Sequence, residues 1–535
     1  MLNSWIVLLP PFIVFFSVFV TQRLNVSLFL GILSAAAIVG NFNPISTFKI
    51  TAHRLVQQAS EIDYLYLYGF LLILGMIIVL LSYTGGANAF ARNSAKKLKS
   101  RKSVETTSLI LSSLLFVDDY LSNLTAGYVM RPLSDKFNIA RAKLAFLVHA
   151  LSSPLVIIAP ISSWVAMITS QLETAGISQT ANNTTKIIGD PFFIYLSSIP
   201  FTFYSFLIIF SVWLIVRSGL SYGPMEYHEY QAETNNNLFG GKNPLTSNFK
   251  AHEHKEGALI DLILPIVILI GSAFGGMLYA GGYWMFGGQF NVIQALQNNH
   301  DTFLVFLTAA VVTFISSCLW AICRQILSLK EIPDIITEGI QLMYPAVLMI
   351  FLASTLGTIL KDDLFVGGYL ANLMLGKIGI TTLPLVFFVI SLLIAAITGS
   401  SWGTIALLLP ITIQMIVRFL NITTPIAGSD IAILYPVLGA IFSGAVCGNH
   451  ISPISDTTIM ASTSTGTYPI DHAYTQLPYI LPTIISCCLS FYLVGIFVNY
   501  QTMIRIAIPL LAGIVTCSTL LYSFQAWYPS VKNRS

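Results

Sequence analysis

Long apolar stretches recur along the whole chain, and they decide what it can fold into. A run of about 20 apolar residues is long enough to cross the hydrocarbon core of a bilayer as an α-helix. Of the 535 residues, 55% are hydrophobic and only 9% are charged, whereas soluble domains carry about 25% charged residues. The sequence therefore predicts an all-α polytopic integral membrane protein.

The stretches that are predicted to be full spans lie at residues 4–22, 24–41, 66–84, 144–170, 193–217, 258–281, 302–323, 343–360, 431–465, 475–498 and 502–524. The first has no basic residue before it, so we interpret it as a retained span rather than a secretory signal. Two polar stretches with helical periodicity, 87–100 and 364–377, are predicted to lie along the membrane surface.

Two further apolar segments, 104–130 and 382–418, are predicted to be re-entrant hairpins. The strongest basic cluster of the chain precedes the first segment and consists of Arg92, Lys96, Lys97, Lys99, Arg101 and Lys102. Basic residues also follow this segment, at Arg131, Lys136, Arg141 and Lys143. The positive-inside rule places both flanks in the cytoplasm, and only a hairpin that returns to its own side satisfies both.

A weak internal repeat links the two halves of the chain. The stretch "APISSW" resembles "SPISDT", which aligns Pro160 with Pro453 and Ser163 with Asp456. Each copy follows a span, a surface segment and a hairpin, and the predicted topology gives the copies opposite orientations. Two inverted-topology repeats with broken helices are typical of secondary transporters, which bind their substrate near mid-membrane. Chance recurrence of Pro-Ile-Ser is the alternative.

This pattern divides the chain into N-terminal spans (1–65), a first inverted repeat (66–217, with hairpin 104–130), a cytoplasmic connecting loop (218–257), linking spans (258–342), a second inverted repeat (343–465, with hairpin 382–418) and C-terminal spans with a tail (466–535). The connecting loop, with His228, His252 and His254, is predicted to be solvated. The topology places the loop 171–192 outside and the C-terminus in the cytoplasm, and the membrane is predicted to be the bacterial cytoplasmic membrane.

Two adjacent carboxylates, Asp118 and Asp119, occur in the middle of the first hairpin, in "LLFVDDYLSN". A charge at the bilayer centre costs ~2.5–3.5 kcal/mol, so such residues are functional candidates. Neighbouring side chains cannot share one face of the backbone. One carboxylate is therefore predicted to meet an ion while the other orients Tyr120, Ser122 or Asn123. The alternative for either is capping of a half-helix.

Asp456 follows the helix-breaking Pro453 in "GNHISPISDTTIMAS". Broken backbone leaves carbonyl oxygens free, and carbonyl, hydroxyl and carboxylate oxygens suit a hard monovalent cation. A carboxylate removed from water can hold either a proton or a cation, which is sufficient for antiport. The alternative for Asp456 is again an N-cap.

The second hairpin, "AAITGSSWGTIALLLPIT", adds hydroxyl groups around a predicted non-helical turn, with an ordinary polar turn as the alternative. The predicted ion-binding residues are Asp118, Asp119, Asn123, Ser163, Thr398, Ser400, Ser401, Asn449, His450, Ser452, Ser455, Asp456 and Thr457, with Asp118 and Asp456 as ligands of Na+. His450 and His149 are predicted to be hydrogen-bonded structural histidines, and proton shuttling by His450 stays an alternative.

Enzymatic and nucleic-acid functions are poorly supported. Gly399-Ser-Ser-Trp-Gly403 matches the G-x-S-x-G pattern of acyl-transfer enzymes but lacks the strand–turn–helix context that this pattern needs. No nucleotide-binding or metalloprotease motif is present. A net charge of +3 without a basic stripe does not indicate nucleic acid.

At these motifs the sequence resembles the NhaC-type sodium/proton antiporter family. The resemblance covers roughly 66–498 and is carried by "FVDDYLSNLTAGYVM", "TGSSWGT", "SGAVCGNHISPISDTTIMAS" and "DHAYTQLPY". It implies two inverted repeats and exchange of Na+ for H+. No cofactor is expected besides the transported ions Na+ and H+. The transport-site residues that it implies are Asp118, Asp119, Thr398, Ser400, Ser455, Asp456 and Thr457. The family usually has Gly-Asp-His where this chain has Gly448-Asn449-His450, so coupling stoichiometry does not transfer with the resemblance.

The resemblance also extends to exchangers of small organic acids and amino acids, which are the alternative function. Arg131 and Arg418 lie only at hairpin ends, which argues against a fixed arginine that binds an organic anion, although helix N-termini could replace it. A passive channel does not fit an inverted-repeat architecture. The predicted partners are the lipid bilayer and a monovalent cation but not nucleic acid, and a homo-oligomer is an open alternative to a monomer.

We predict that both ends of segment 104–130 lie on the cytoplasmic side. Cysteines introduced at Lys102 and at Lys136, in a chain without its native cysteines, should both react with an impermeant thiol reagent only from the cytoplasmic side. Reaction from opposite sides would show a simple span and remove the basis of the inverted repeat.

Overall fold

The computed structural model describes residues 5–21, 23–95, 98–179, 186–244, 257–297, 301–374 and 377–528. The predictions for Lys96, Lys97, His252, His254 and the tail after residue 528 fall outside these ranges. Ten helices in the described ranges are long and apolar enough to cross a membrane, and the bent pair Pro191–Phe201 and Phe203–Ser218 adds an eleventh. The chain is an integral multi-pass membrane protein of the predicted all-α class.

The helices of the N-terminal half are α1 (Leu9–Thr21), α2 (Leu24–Val39), α3 (Pro44–Ser60), α4 (Ile62–Tyr83), α5 (Gly86–Ala95), α6 (Arg101–Leu114), α7 (Asp119–Lys136), α8 (Arg141–Ile158), α9 (Ser163–Thr174), α10 (Pro191–Ser198), α11 (Phe203–Ser218) and α12 (Gly223–Thr234). Those of the C-terminal half are α13 (Ile260–Ala280), α14 (Val292–Gln297), α15 (Thr302–Cys323), α16 (Ile332–Thr358), α17 (Val366–Met374), α18 (Leu383–Thr398), α19 (Ser401–Phe419), α20 (Leu434–Ile451), α21 (Asp456–Thr465), α22 (Pro469–Ile496) and α23 (Thr502–Trp527). Three short strands, β1 (Ile177–Ser178), β2 (Ile187–Ile188) and β3 (Ile426–Ala427), form one parallel sheet in that order.

Helices α4–α9 and α16–α21 follow the same order of elements. Each set has a long helix, a short helix, a two-helix hairpin and a long segment that is broken in its middle. Hairpin 1 is α6–α7 and hairpin 2 is α18–α19, while the breaks lie at 159–162 and 452–455. The two leading helices, α4 and α16, cross at Gly75 and Gly339. A Cβ atom on Gly75 would lie 2.3 Å from the Gly339 carbonyl oxygen, so only glycine permits this approach.

Each hairpin begins and ends on one face of the protein, and the two faces differ. Hairpin 1 starts at Arg101, which pairs with Glu233 of α12, and ends just before Asn138, which donates a hydrogen bond to Asn236. We call this side the α12 face. Hairpin 2 ends shortly before β3, whose Ile426 pairs with β2. We call the side that carries the three strands the sheet face.

The two broken segments cross the protein in opposite directions. Helix α8 begins on the α12 face, where the Arg141 amide donates to the Leu238 carbonyl, and α9 leads directly to β1. Helix α20 follows β3, beside which Gly428 packs against Ile187. Helix α21 then ends on the α12 face, where the Thr465 carbonyl accepts a hydrogen bond from Arg141. The prediction of two inverted-topology repeats is confirmed.

The connecting loop differs from the solvated connector that the sequence predicted. Its helix α12 packs against α8 and α22, and Glu229 is only 8% exposed. The Glu229 carboxylate accepts hydrogen bonds from Lys143, at 3.0 Å, and from Ser221. His228 is buried as well. The physical reason is that Lys143, 2% exposed in α8, needs an opposite charge, which α12 supplies.

Helix α3 was not predicted, because its polar sequence lacks a long apolar run. It is attached to the second repeat by an ion pair between Arg54 and Asp363. Helix α16 begins at Ile332, well before the predicted start of that span at residue 343. Ser328 and Glu331 form a capping box directly before it, and a capping box is favourable at a helix start.

We predict that the Glu229–Lys143 pair stabilises the fold in a pH-dependent way. Burial raises the pKa of Glu229, but Lys143, Ser221 and Arg101 outweigh it and leave the pKa below its ordinary value. A carboxylate with a depressed pKa stabilises above its unfolded pKa of about 4.3, and this contribution disappears as pH falls further. Glu229→Gln should lower the free energy of unfolding by about 3–5 kcal/mol at neutral pH.

The measurement is unfolding in detergent followed across pH. The difference between the variant and the parent protein should shrink below about pH 4. Asp334→Asn, at an exposed position of α16, is the matched control and should change stability little. A Glu229→Gln effect that is equally large at all pH values would contradict the ion-pair explanation.

Candidate functional site

Each broken segment meets the tip of the hairpin in its own repeat. At the first break, the Ser163 amide donates to the Val117 carbonyl, at 3.2 Å. At the second, Gly399 adopts a φ of +67°, and a Cβ atom there would lie 3.0 Å from the Ile454 carbonyl oxygen. Glycine is required for both the left-handed backbone and the close approach. The aligned residues Ser163 and Asp456 are each the first residue of the half-helix after the break.

The two repeats also meet each other at this point. Tyr120 of hairpin 1 donates its hydroxyl to Asp456 Oδ2, at 2.5 Å, and the rings of Trp164 and Trp402 are in edge contact at 6.1 Å. The N-termini of α7, α9, α19 and α21 therefore converge. Their N-cap side chains, each bonded to a backbone amide of its own helix, belong to Asp118, Ser162, Ser400 and Ser455. Helix N-termini carry partial positive charge, which favours anionic groups.

Asp118 and Asp119 have different surroundings although both are buried, at 1% and 2% exposure. Asp118 caps α7, because its carboxylate accepts the Leu121 amide hydrogen at 2.9 Å. Asp119 accepts the Ser153 hydroxyl hydrogen at 2.9 Å and lies close enough to Asp118 and Asp456 to interact with their charges. Asp118 thus interacts with its own helix, whereas Asp119 is directed toward α8 and Asp456.

Asp456 is partly exposed and is surrounded by hydrogen-bond donors. Besides Tyr120, the Thr457 amide donates to it at 2.8 Å, and the Asn449 side chain is within hydrogen-bonding reach. The amide oxygen of Asn449 in turn accepts the hydroxyl hydrogens of Ser455 and Thr457, the latter at 2.5 Å. The structure therefore brings Asn449, Ser455, Asp456 and Thr457 into one network.

In the part of the chain that the structure describes, Asp118, Asp119 and Asp456 form no ion pair with a lysine or arginine. Among the same described residues, two nearby oxygen atoms are buried without a hydrogen-bond partner, namely Asn123 Oδ1 and Ser452 Oγ. The described residues hold no group of three or more His, Cys, Asp or Glu side chains suited to a metal ion. Carboxylates with free amide and hydroxyl oxygens can bind a proton or a hard monovalent cation.

The hydroxyl groups of hairpin 2 bond mainly to backbone. Thr398 Oγ1 accepts the Ser400 amide hydrogen at 3.3 Å, and Ser400 accepts that of Gly403 at 3.1 Å. Ser401 donates its hydroxyl to the Ala445 carbonyl of α20, at 3.1 Å. These contacts fit the alternative prediction of an ordinary polar turn between two helices. Hairpin 2 therefore contributes the close approach of its backbone and the N-terminus of α19 to the site, and its hydroxyl groups bond to backbone atoms instead.

Three buried histidines lie beside the site. His450 contacts the Tyr204 hydroxyl at 2.8 Å, and its ring centroid lies 4.5 Å from that of His149. His149 contacts Thr457 Oγ1 through Nε2 and His472 through Nδ1, each at 3.0 Å. His472 was not singled out from the sequence. The only available signal was its place in "DHAYTQLPY", and nothing in the spacing of that stretch indicates which residues it contacts.

Comparison with known proteins gives one family and two relatives. The model of the Na+/H+ antiporter family matches residues 155–496. An uncharacterized protein of Haemophilus influenzae is 29% identical over 497 residues, which are 91% of this chain and 90% of that protein. The malate-2H(+)/Na(+)-lactate antiporter of Bacillus subtilis is 29% identical over 173 residues, which are 31% of this chain and 33% of that antiporter.

One solved transporter structure resembles the fold, and a second gives a weaker match. The YdaH transporter of Alcanivorax borkumensis, described as having an unusual topology, matches with a TM-score of 0.52 at 15% identity, over 91% of this chain and 98% of that one. MtrF of Neisseria gonorrhoeae matches with a TM-score of 0.49 at 15% identity, over 94% of each chain. At this identity the YdaH likeness concerns the fold alone.

We predict that Asp118 acts as a helix cap, which a pair of uncharged variants can test. Asp118→Asn and Asp118→Ala both remove the charge, but asparagine keeps the acceptor oxygen for the Leu121 amide. The alanine variant should therefore be less stable than the asparagine variant by about 1 kcal/mol. Melting temperatures in detergent provide the comparison, and equal values for the two variants would exclude the capping role.

Proposed function

This chain belongs to the Na+/H+ antiporter family, whose model matches residues 155–496, and from this premise we propose that it exchanges Na+ for H+ across the bacterial cytoplasmic membrane. Secondary antiport as a class follows from the family. The nature of the exchanged ions is our proposal, and the geometry of the site supports it.

The observation that carries the proposal is the lack of a basic partner for the carboxylates at the centre. Asp118 and Asp119 are buried, and within the described residues no lysine or arginine pairs with them or with Asp456. An isolated buried carboxylate is strongly unfavourable unless something neutralises it. A proton or a metal cation can do so, and the two compete for the same oxygens, which couples their movements.

Each carboxylate has its own role in this proposal. Asp118 is already occupied as the cap of α7, so it mainly fixes the hairpin tip. Asp119, from the first repeat, and Asp456, from the second, form the pair that holds either the cation or the proton. This replaces the pairing of Asp118 with Asp456 that the sequence favoured. Uncompensated oxygens such as Asn123 Oδ1 complete the oxygen set for Na+.

The inverted repeats suggest how the site becomes accessible from each of the two faces of the protein. Hairpin 1 opens toward the α12 face and hairpin 2 toward the sheet face, and both tips touch the breaks at which the helices begin. Movement of one hairpin with its half-helix would expose the site to one face at a time. Alternating access of this kind is typical of transporters that are built from inverted repeats.

Exchange of a small organic acid is the second candidate, and one observation favours it. The converging N-termini of α7, α9, α19 and α21 attract an anion without an arginine, and the Bacillus subtilis relative is a malate and lactate antiporter. The carboxylates at the same point repel an anion unless Na+ or a proton accompanies it. We therefore place Na+/H+ exchange first.

Protein in vesicles that contain a pH-sensitive dye distinguishes the two candidates. External Na+ alone should make the interior more alkaline if Na+ enters in exchange for protons. External lactate or malate should have no additional effect. A pH change that requires lactate or malate would support the organic-acid candidate and overturn ours, and K+ in place of Na+ tests ion selectivity.

We predict that Asp456→Asn abolishes this exchange while membrane insertion is retained. The asparagine amide carries no negative charge and takes up neither a proton nor Na+ in place of the carboxylate. The exchange rate should therefore fall roughly a hundredfold, as expected for about 3 kcal/mol of lost ion interaction. Asp119→Asn should give the same result. Asp430→Asn, an exposed carboxylate on the sheet face, is the control and should exchange at the parent rate. Parent rates in Asp456→Asn would refute the assignment.

A further inference from the structure

A continuous chain of buried side chains connects His472 of α22 to Asp456. His472 Nε2 lies 3.0 Å from His149 Nδ1, and His149 Nε2 lies 3.0 Å from Thr457 Oγ1. The Thr457 hydroxyl bonds to the Asn449 oxygen at 2.5 Å, and the Thr457 amide donates to the Asp456 carboxylate at 2.8 Å, beside which the Asn449 side chain also lies. All members except Asp456 are at most 2% exposed, so their hydrogens have to find partners within the chain.

The chemistry of Asn449 fixes the direction of every hydrogen bond in this chain. Its amide oxygen can only accept, and it receives the hydroxyl hydrogens of Ser455 and Thr457. Because Thr457 has one hydrogen and has donated it, Thr457 Oγ1 must accept from His149 Nε2. His149 Nδ1 then lacks a hydrogen and accepts from His472 Nε2. All donors therefore point toward the carboxylate site.

Both imidazoles are neutral in this arrangement. In each ring one nitrogen donates and the other is an acceptor, as in the uncharged form. Neither His149 nor His472 forms an ion pair with an acidic side chain within the described ranges, and a buried imidazolium without such a partner would be costly. The histidines hold the network in one orientation, and a change in their charge is not needed for that.

We infer that His149 is a positioning residue for the cation site: by donating to Thr457 it makes the Asn449 amide present its hydrogens, rather than its oxygen, to Asp456. This rests on the proposed function. The amide hydrogens, the Tyr120 hydroxyl and the Thr457 amide then hold the Asp456 side chain in one orientation toward the site. Without His149, the Thr457 hydroxyl is free to turn, and Asn449 can flip its oxygen toward Asp456.

The test separates hydrogen bonding from packing at position 149. His149→Leu fills similar space without polar atoms, whereas His149→Gln supplies one amide donor for Thr457 and one oxygen acceptor for His472. The half-saturating Na+ concentration of exchange should rise about tenfold in the leucine variant, the change that one lost hydrogen bond to a charged network produces. The maximal rate should stay within about twofold, and the glutamine variant should return to near the parent value.

Two outcomes would overturn the inference. Equal impairment of His149→Leu and His149→Gln would mean that only the shape of the ring matters, and parent behaviour of both would mean that the contact is not used. His472→Leu, at the other end of the chain, provides a second variant if His149→Leu does not fold, and it should raise the half-saturating concentration in the same direction. In the double variant the two effects should not add, because the residues act in one chain.

Direct binding of radioactive Na+ to the purified protein keeps this test distinct from that of the proposed function. A parent protein that binds no Na+ contradicts the proposed function itself. A parent protein that binds Na+, with His149→Leu binding equally well, contradicts only the positioning role of His149.

Discussion

Four helix N-termini meet at the centre of this protein, and the backbone amides that they leave unpaired constrain the residues around them. The first amides of a helix have no partner within it, and in a membrane interior water is not available to replace that partner. Each of these helices therefore begins with a side-chain oxygen that accepts such an amide: Asp118, Ser162, Ser400 or Ser455. The partial positive charge of the four converging N-termini also favours the further carboxylates of Asp119 and Asp456 at this point.

The two repeats supply different groups to this centre although their elements match. The first repeat places its carboxylates on the hairpin tip, at Asp118 and Asp119, and has Ser163 after its break. The second has hydroxyl groups on the tip of hairpin 2, and its carboxylate, Asp456, follows the break. Tyr120 connects the two halves through its bond to Asp456. The site is thus complete only when both repeats are in contact, which in our proposal couples ion binding to the movement of one repeat against the other.

The sequence was informative where the signal is local. Apolar length predicted the spans, and the proline in each of the two related stretches predicted where the helices break, at Pro160 and Pro453. The match of Ser163 with Asp456 also came from sequence, because both directly follow a break. Helix α3 and the packing of α12 were missed, since neither stretch contains a long apolar run of the kind by which the spans were predicted.

Long-range contacts set the details of the site that the sequence left open. Which of two adjacent carboxylates caps α7 depends on the backbone angle at the hairpin tip, and the sequence gives no measure of that angle. The contact of His149 with His472 joins residues that are 323 positions apart, and neither the apolar span around His149 nor the stretch around His472 indicates a long-range partner. The sequence could indicate that each residue is unusual for a membrane helix but not that the two are neighbours.

The distribution of basic side chains leaves the carboxylates at the centre without a permanent counter-charge. Lysine and arginine residues pair with carboxylates near the two faces, as in Lys143–Glu229, Arg141–Asp135, Lys242–Asp471 and Arg54–Asp363. Such a residue beside Asp119 would neutralise it permanently, and a cation would then gain little by binding. Neutral donors such as Tyr120 and Ser153 orient the carboxylates without cancelling their charge. In our proposal this leaves the carboxylates available to a proton or a cation, while the ion pairs that hold the helices together are formed elsewhere.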